Sequence, residues 1–239
     1  MNKSMAVLLE DVIGIARAAG ELVLEVYRTD FEVRGKLDTS PVTEADERAE
    51  TLILQALAAR TPQIPVISEE AAAAGLVLQV GECFWLVDPL DGPKAFINRN
   101  CEFTLNIALI DNGEPVLGVV FAPALQRLFA GARGCGAFIE QAGKREVIQC
   151  RTVSEEGLDV VASRSHGDAE ALDKFLDGRK VRSLKSAGSS LKICLVATGE
   201  ADLYPRLGRT MEWDIAAGHA VLVAAGGQIF TLAGDALGY

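Results

Sequence analysis

Four short segments of the chain set carboxylates beside residues that turn the backbone or start a helix: Thr43-Glu44-Ala45-Asp46, Ser68-Glu69-Glu70, Asp88-Pro89-Leu90-Asp91-Gly92 and Glu212-Trp213-Asp214. Carboxylate oxygens are hard ligands. They suit Mg²⁺, a cation that keeps much of its water and leans on phosphate oxygens. Two such metals can activate a water and neutralise the leaving oxygen of a phosphate ester. Asp88 and Asp91 follow the apolar run Phe84 to Val87. Pro89 and Gly92 can bend the chain so that both acids and the Leu90 carbonyl face one cleft. Each segment also has a structural reading. Asp46 stands three residues after Thr43, as in a capping box. Glu69 and Glu70 can complement a helix dipole. Asp-Pro-Leu-Asp-Gly can be only a turn, and Asp214 an ordinary acid at a helix start. Spacing alone does not bring the four segments together.

Hydrophobic periodicity predicts the elements that must carry these acids. Met5 to Arg28 repeats apolar residues at helical spacing (Leu8, Leu9, Val12, Ile15, Ala16, Ala19, Val23, Val26). Phe31 to Pro41 reads as an irregular loop. Thr43 to Arg60 reads as a second helix, with Thr43 at its N-cap and Pro62 just beyond its end. Ile64 to Ile67 is a short strand that ends at the Ser68 acids, and Ala71 to Gly75 is ambiguous. Phe84 to Val87 is a buried strand. Phe103 to Ile110 and Pro115 to Phe121 are strands joined at Asn112-Gly113, a strong hairpin signal. Leu128 to Ala130 and Ala137 to Ile139 continue the meander. Beyond Cys150 strand and helix alternate: Val160 to Ser163, Ala169 to Leu176, Lys180 to Leu184, Ser190 to Thr198, Ala201 to Tyr204, Asp214 to Ala225 and Gln228 to Thr231. The expected fold class is α/β, an α+β lobe over residues 1–150 followed by a smaller α/β lobe over 151–239.

The chain has 239 residues, 49% of them hydrophobic, and a net charge of −10. The length supports a large core in one domain or two packed lobes. The charge argues against nucleic-acid binding, which relies on Lys and Arg at phosphates. It does not argue against a small anion, since a bound metal reverses the local field. Five scattered cysteines without a C-x-x-C pair fit neither a disulfide framework nor a zinc site, and reduced thiols point to a cytoplasmic protein. Glu10 and Asp11 interrupt the first apolar stretch, so no signal peptide is read there. No run is long enough for an integral membrane segment. Peripheral contact with the inner membrane and a monomer or homodimer state stay open.

Taken together and in this order, "SPVTEAD" (40–46), "SEE" (68–70), "DPLDG" (88–92) and "WDIAAGHAVLVAAGG" (213–227) resemble the inositol monophosphatase superfamily of Mg²⁺-dependent, lithium-sensitive phosphatases. The resemblance covers nearly the whole chain and implies a layered αβαβα sandwich. "KAFINRNCEFTLNIALI", "ASRSH" (162–166), "AGSSLKICLVATGEADLYPR" (187–206) and "TMEWD" (210–214) are similar to the CysQ-type branch, the bacterial 3'(2'),5'-bisphosphate nucleotidases. That branch implies removal of one phosphate from adenosine 3',5'-bisphosphate to leave AMP, with 3'-phosphoadenosine 5'-phosphosulfate as a second candidate substrate. It also implies roles. Glu69, Asp88, Asp91 and Asp214, with the Leu90 carbonyl, would hold Mg²⁺. Asp46 would orient or deprotonate the attacking water. The Gly92 backbone would approach the phosphate. Ser163, His166, the Gly188 backbone and Lys192 would contact the nucleotide. Bland readings stand beside these: His166 as a solvated turn residue, Lys192 as a lysine snorkelling to the surface, Arg164 as a surface charge. His219, among Ala217, Ala220 and Val221, reads as packing.

One residue departs from the pattern. The family reads Asp-Gly-Thr where this chain reads Asp91-Gly92-Pro93. Proline suits the first turn of a helix, but it has no hydroxyl to pair with Asp46 at the attacking water. The expectation is a slower phosphatase. The alternatives are an inositol monophosphatase or broad sugar-phosphate phosphatase, and a metal- and nucleotide-binding protein that has lost most catalysis. The Ala95 that stands where the CysQ pattern has a glutamate is given less weight.

Overall fold

The computed structural model describes residues 4–35, 41–76, 79–164 and 169–239. Helix α1 (Met5–Tyr27) opens on Ser4, whose hydroxyl accepts the Val7 N–H, and buries the expected stripe including Leu9, Val12, Ala16, Ala19, Val23 and Val26. The stretch read as an irregular loop contains two short strands, β1 (Arg34–Gly35) and β2 (Pro41–Val42), paired antiparallel. Helix α2 (Glu44–Arg60) starts at Thr43 and buries Ala45, Ala49, Ile53 and Leu57 at helical spacing.

A seven-stranded sheet follows in strict chain order: β3 (Val66–Ser68), β4 (Cys83–Asp91), β5 (Thr104–Asp111), β6 (Glu114–Ala122), β7 (Arg127–Ala132), β8 (Gly136–Gln141) and β9 (Lys144–Ile148). Strands β3 and β4 are parallel, and each later pair is antiparallel. Two short helices interrupt the strands, α3 (Glu69–Ala73) after β3 and α4 (Pro93–Ile97) after β4. The β5–β6 hairpin turns at Asn112 and Gly113, both at positive φ (53° and 76°), as its dipeptide requires.

The sheet is covered on both faces, so its central strands read as unbroken apolar runs. Trp85 and Val87 of β4 and Leu105, Ile107 and Leu109 of β5 pack with α1 and α2. Their alternates Phe84, Leu86, Ala108 and Ile110 pack on the opposite side. There the cover is α6 (Leu191–Ala197) and α7 (Glu212–Ala224), both from beyond residue 150. Between β9 and α6 run β10 (Leu158–Ser163), α5 (Ala169–Leu176) and β11 (Val181–Ala187). Strands β10 and β11 form a second, parallel sheet, whose Val161 and Ala187 pack with Leu195 and Val196 of α6. Helices, sheet, helices and sheet thus succeed one another, the layered α/β architecture expected. Two expected strands are reduced to single bridges, Val160 with Leu203 and Phe230 with Ala236. Among the described residues, no helix is long and apolar enough to cross a membrane.

Helix α7 lies unusually close to the sheet. A Cβ on Gly118 of β6 would stand 2.2 Å from the Ala217 carbonyl oxygen, so only glycine permits this approach. It fixes the height of α7, and with it the position of Asp214 in the helix's first turn.

Candidate active site

The Asp-Pro-Leu-Asp segment is not a turn after the strand. It is the end of β4 itself, bulged against β5: Asp88 faces Asn106 and Asp91 faces Thr104, with one extra residue on the β4 side. A bulge re-aims side chains and tolerates a proline. Asp88 is 1% exposed, and its Oδ1 accepts the Leu90 N–H at 3.0 Å. Burial pushes its carboxyl well above the usual aspartate range, and Glu69, Asp91 and Asp214 push it further, with a hydrogen bond to Glu69 in the same direction. Asp214, at the third position of α7, accepts the Thr210 hydroxyl at 2.9 Å and the Met211 N–H at 3.0 Å through Oδ2. It is raised to about 6 by burial first and Asp91 next, with Glu69 adding. Asp91 Oδ2 accepts the Thr104 hydroxyl at 3.3 Å and lies 2.8 Å from the Ser190 hydroxyl.

Glu69, Asp91 and Asp214, each half-buried, thus stand near the buried Asp88, and their charges disfavour ionisation of Asp88 and, from Asp91 and Glu69, of Asp214. As the side chains lie, however, no three His, Cys, Asp or Glu residues among the described ones are arranged to hold a metal ion. The two findings are compatible, because Coulomb coupling reaches further than coordination. Asp91 and Asp214 are turned to hydroxyl and backbone donors, and Asp88 to the Leu90 N–H, so the cluster is not a closed cage.

Glu69 is the first residue of α3, and α2 holds that helix start in place. Glu50 Oε2 accepts the Glu70 N–H at 3.0 Å. Glu50 lies one turn after Asp46 and is 7% exposed, its carboxyl raised by burial first and, in small part, by Glu69. Asp46, 2% exposed, is the capping acid that the structural reading expects: Oδ2 accepts the Thr43 N–H at 2.9 Å and the Thr43 hydroxyl at 2.8 Å. The Leu90 side chain is buried in the α1–α2 core.

Of the expected nucleotide residues, Gly188 and Lys192 flank the start of α6. Gly92 caps α4 at φ 87°, and a Cβ there would stand 2.1 Å from the Ser189 hydroxyl. The Ser189 hydroxyl lies 2.9 Å from the Asp91 carbonyl oxygen and 2.7 Å from that of Glu102, and donates to one of them. The Gly188 N–H donates to Glu102 Oε2 at 2.8 Å. Arg164 is exposed but not idle, donating to Glu102 Oε1 at 2.9 Å and to the Ser186 carbonyl at 3.1 Å. Ser163 ends β10 opposite Ala187. His166 lies outside the described residues. Lys192 does not snorkel. It is 4% exposed, donates to the Ser189 carbonyl and sits 5.4 Å from the Tyr204 ring centroid. Burial lowers it to about 8, against the pull of Asp91, Glu102 and Asp214, which leaves it a cation at neutral pH.

His219 packs, as expected. It is buried, with Nδ1 3.1 Å from the Tyr239 hydroxyl, and burial lowers it to about 4. The folded state prefers neutral imidazole, so the full contribution is present above the unfolded value near 6.5 and is lost as pH falls from there to about 4. The loss should reach roughly 2–3 kcal/mol. Urea midpoints at pH 7 and pH 4.5 check this: His219→Gln should lose less stability than wild type over that interval, and equal losses would refute it.

Residues 5–239 match the inositol monophosphatase family. The chain belongs to that family. It is 50% identical over 234 residues to the 3'(2'),5'-bisphosphate nucleotidase CysQ of Salmonella typhimurium, which spans 97% of this chain and 94% of that protein. Among solved structures, CysQ from Bacteroides thetaiotaomicron matches with a TM-score of 0.82 and 36% identity, covering 100% of this chain and 94% of that one. An inositol monophosphatase from Anabaena matches at 0.80 and 27% identity over 98% and 88%. The family is one of phosphatases, and the recognition made from the acidic segments is correct.

Glu50, Glu102, Thr104, Asn106 and Ser190 were not singled out from the sequence. Only Glu50 carried a signal, a carboxylate one helical turn from Asp46 on a face otherwise lined by alanine, isoleucine and leucine.

Proposed function

We propose that this chain is an Mg²⁺-dependent 3'(2'),5'-bisphosphate nucleotidase, hydrolysing adenosine 3',5'-bisphosphate to AMP and phosphate, with 3'-phosphoadenosine 5'-phosphosulfate as a further substrate. The observation that carries the reading is the 50% identity, over nearly the full chain, to a CysQ nucleotidase. The donor set fits the metal: Glu69, Asp88, Asp91 and Asp214 offer only hard oxygens, and their mutual repulsion is what a divalent cation relieves. With the Leu90 carbonyl they would hold it. Bound there, Mg²⁺ supplies charge neutralisation at the phosphate and a water of lowered pKa.

The chain's own residues do the rest. Asp46 orients the attacking water. Lys192 offers a substrate phosphate a nearly dehydrated cation beside the acidic cleft, where its charge is weakly screened. Ser163, His166 and the Gly188 backbone would contact the nucleotide. Pro93 favours a second reading, in which metal and nucleotide still bind but turnover is weak.

Phosphate release from the two nucleotides and from inositol 1-phosphate, with Mg²⁺ or EDTA and with added Li⁺, tests the proposal. Expected are a nucleotide preference of at least about tenfold in kcat/KM, no release in EDTA, and inhibition by Li⁺ at limiting Mg²⁺. Equal rates on inositol 1-phosphate would replace the reading with a broad phosphatase. Tight AMP binding without Mg²⁺-dependent release would replace it with the second reading.

A further inference from the structure

We propose that Ser190, oriented by Asn106, is a positioning residue that locks the Asp91 carboxylate to the first turn of α7. Ser190 is 3% exposed and Asn106 fully buried. The Ser190 hydroxyl lies 2.8 Å from Asp91 Oδ2 and 2.6 Å from the Asp214 carbonyl oxygen, and it accepts the Asn106 side-chain N–H at 2.9 Å. One hydroxyl thus ties the bulged end of β4, the neighbouring strand β5, the start of α6 and the start of α7. Residues 91 and 214 are far apart in the chain, and the Ser190 hydroxyl bridges them.

The proton inventory explains why an asparagine stands beside the serine. Ser190 has one proton to give and can accept from others. The Asn106 amide N–H occupies the accepting side, so the serine's proton is left for Asp91 or the Asp214 carbonyl. The bond to a carboxylate is the stronger kind. The reverse amide orientation would draw that proton to Asn106 and leave Asp91 without it. In this orientation Asn106 Oδ1 is buried and has no hydrogen-bond partner among the described residues. Asp91 and Asp214 repel each other. Without the bridge, the Asp91 side chain is freer to rotate away.

Ser190 acts through the acids and not on the phosphate, and the inference rests on the reading that Asp91 and Asp214 hold Mg²⁺. The test measures Mg²⁺ affinity by calorimetry and by the Mg²⁺-induced rise in Tm, and then activity against Mg²⁺ concentration. Ser190→Ala should weaken Mg²⁺ binding about 10–100-fold, the usual loss for an outer partner of a metal ligand, while kcat at saturating Mg²⁺ falls far less. Asn106→Leu should act in the same direction. The double variant should be no worse than Ser190→Ala alone, because both break one chain of contacts. Ser190→Thr, which keeps the hydroxyl, should recover most of the affinity. Wild-type affinity in Ser190→Ala, or penalties that simply add, would overturn the inference and leave the metal reading intact. A wild-type protein that binds no Mg²⁺ would overturn both. If Ser190→Ala does not fold, unchanged Mg²⁺ affinity in Asn106→Leu overturns the inference by itself.

Discussion

The Asp88→Asn variant is expected to melt at a higher temperature than the wild-type protein in EDTA, yet to lose about 10²–10⁴ in kcat/KM. Both effects have one cause. Asp88 is fully enclosed, and burial together with Glu69, Asp91 and Asp214 makes its ionised form unfavourable in the folded state. A carboxyl whose folded value is raised binds its proton more tightly folded than unfolded. Stability is therefore greatest below the unfolded value near 3.9 and declines as pH rises toward the raised folded value. At neutral pH the wild-type protein carries that loss. Asparagine keeps an oxygen for the Leu90 N–H and has no charge to bury, so it escapes the loss and also surrenders a ligand. Saturating Mg²⁺ should reverse the order of melting. A ligand at a hundred times its Kd adds about 2.7 kcal/mol, and the wild-type protein should collect more of this than the variant. Calorimetry at pH 7 in EDTA and in MgCl₂, beside phosphate release, checks each part. A variant that melts lower in EDTA, or keeps more than about a tenth of the activity, would show that Asp88 is a structural acid.

Such residues also mark the boundary of what the sequence discloses. Local chemistry was legible. The α1 stripe, the Thr43–Asp46 cap, the Asn112-Gly113 hairpin and the doubly buried β4 each follow from spacing over fewer than about twenty residues. The acidic segments were legible as a set because their order matches a family. The Asp-Pro-Leu-Asp stretch was left outside the strand, with a turn as its structural alternative, because proline and glycine punctuate turns more often than bulges. Whether a strand ends there depends on β5, which pairs through it to Thr104. β9 went unread because Lys144, Arg145 and Glu146 mask an exposed edge strand with the charges that such edges carry. Ser190 and Asn106 could not be found by pattern at all: 84 positions separate them, and each alone is an ordinary polar residue.

The same distinction between local fit and distant chemistry governs Pro93. Replacing it by threonine is expected to raise kcat by about 10–10³ with little change in KM for the nucleotide, which is the general-base range discounted for activation by metal. Proline is locally at ease here. It is the first residue of α4, where its missing N–H has no intrahelical partner to lose, and Gly92 before it supplies the left-handed turn. Threonine at this position should cost no more than about 1 kcal/mol, through the greater freedom of the unfolded chain. What threonine adds is a hydroxyl and an N–H beside the cleft. A hydroxyl that orients the attacking water acts in the transition state, which places the gain in kcat. It needs an acceptor for its own proton, and Asp46 is the residue assigned to that task. Asp46 Oδ2 already takes two hydrogen bonds from Thr43, so the acid is held rigidly by its cap. Asp46→Asn should accordingly remove most of the gain in the threonine background and have a smaller effect beside Pro93. Steady-state kinetics on the four proteins of this cycle, at saturating Mg²⁺, decide the matter. If the threonine variant binds Mg²⁺ and AMP normally and gains no rate, the chain orients its water by other means. If Asp46→Asn is harmless in both backgrounds, Asp46 serves only to cap α2.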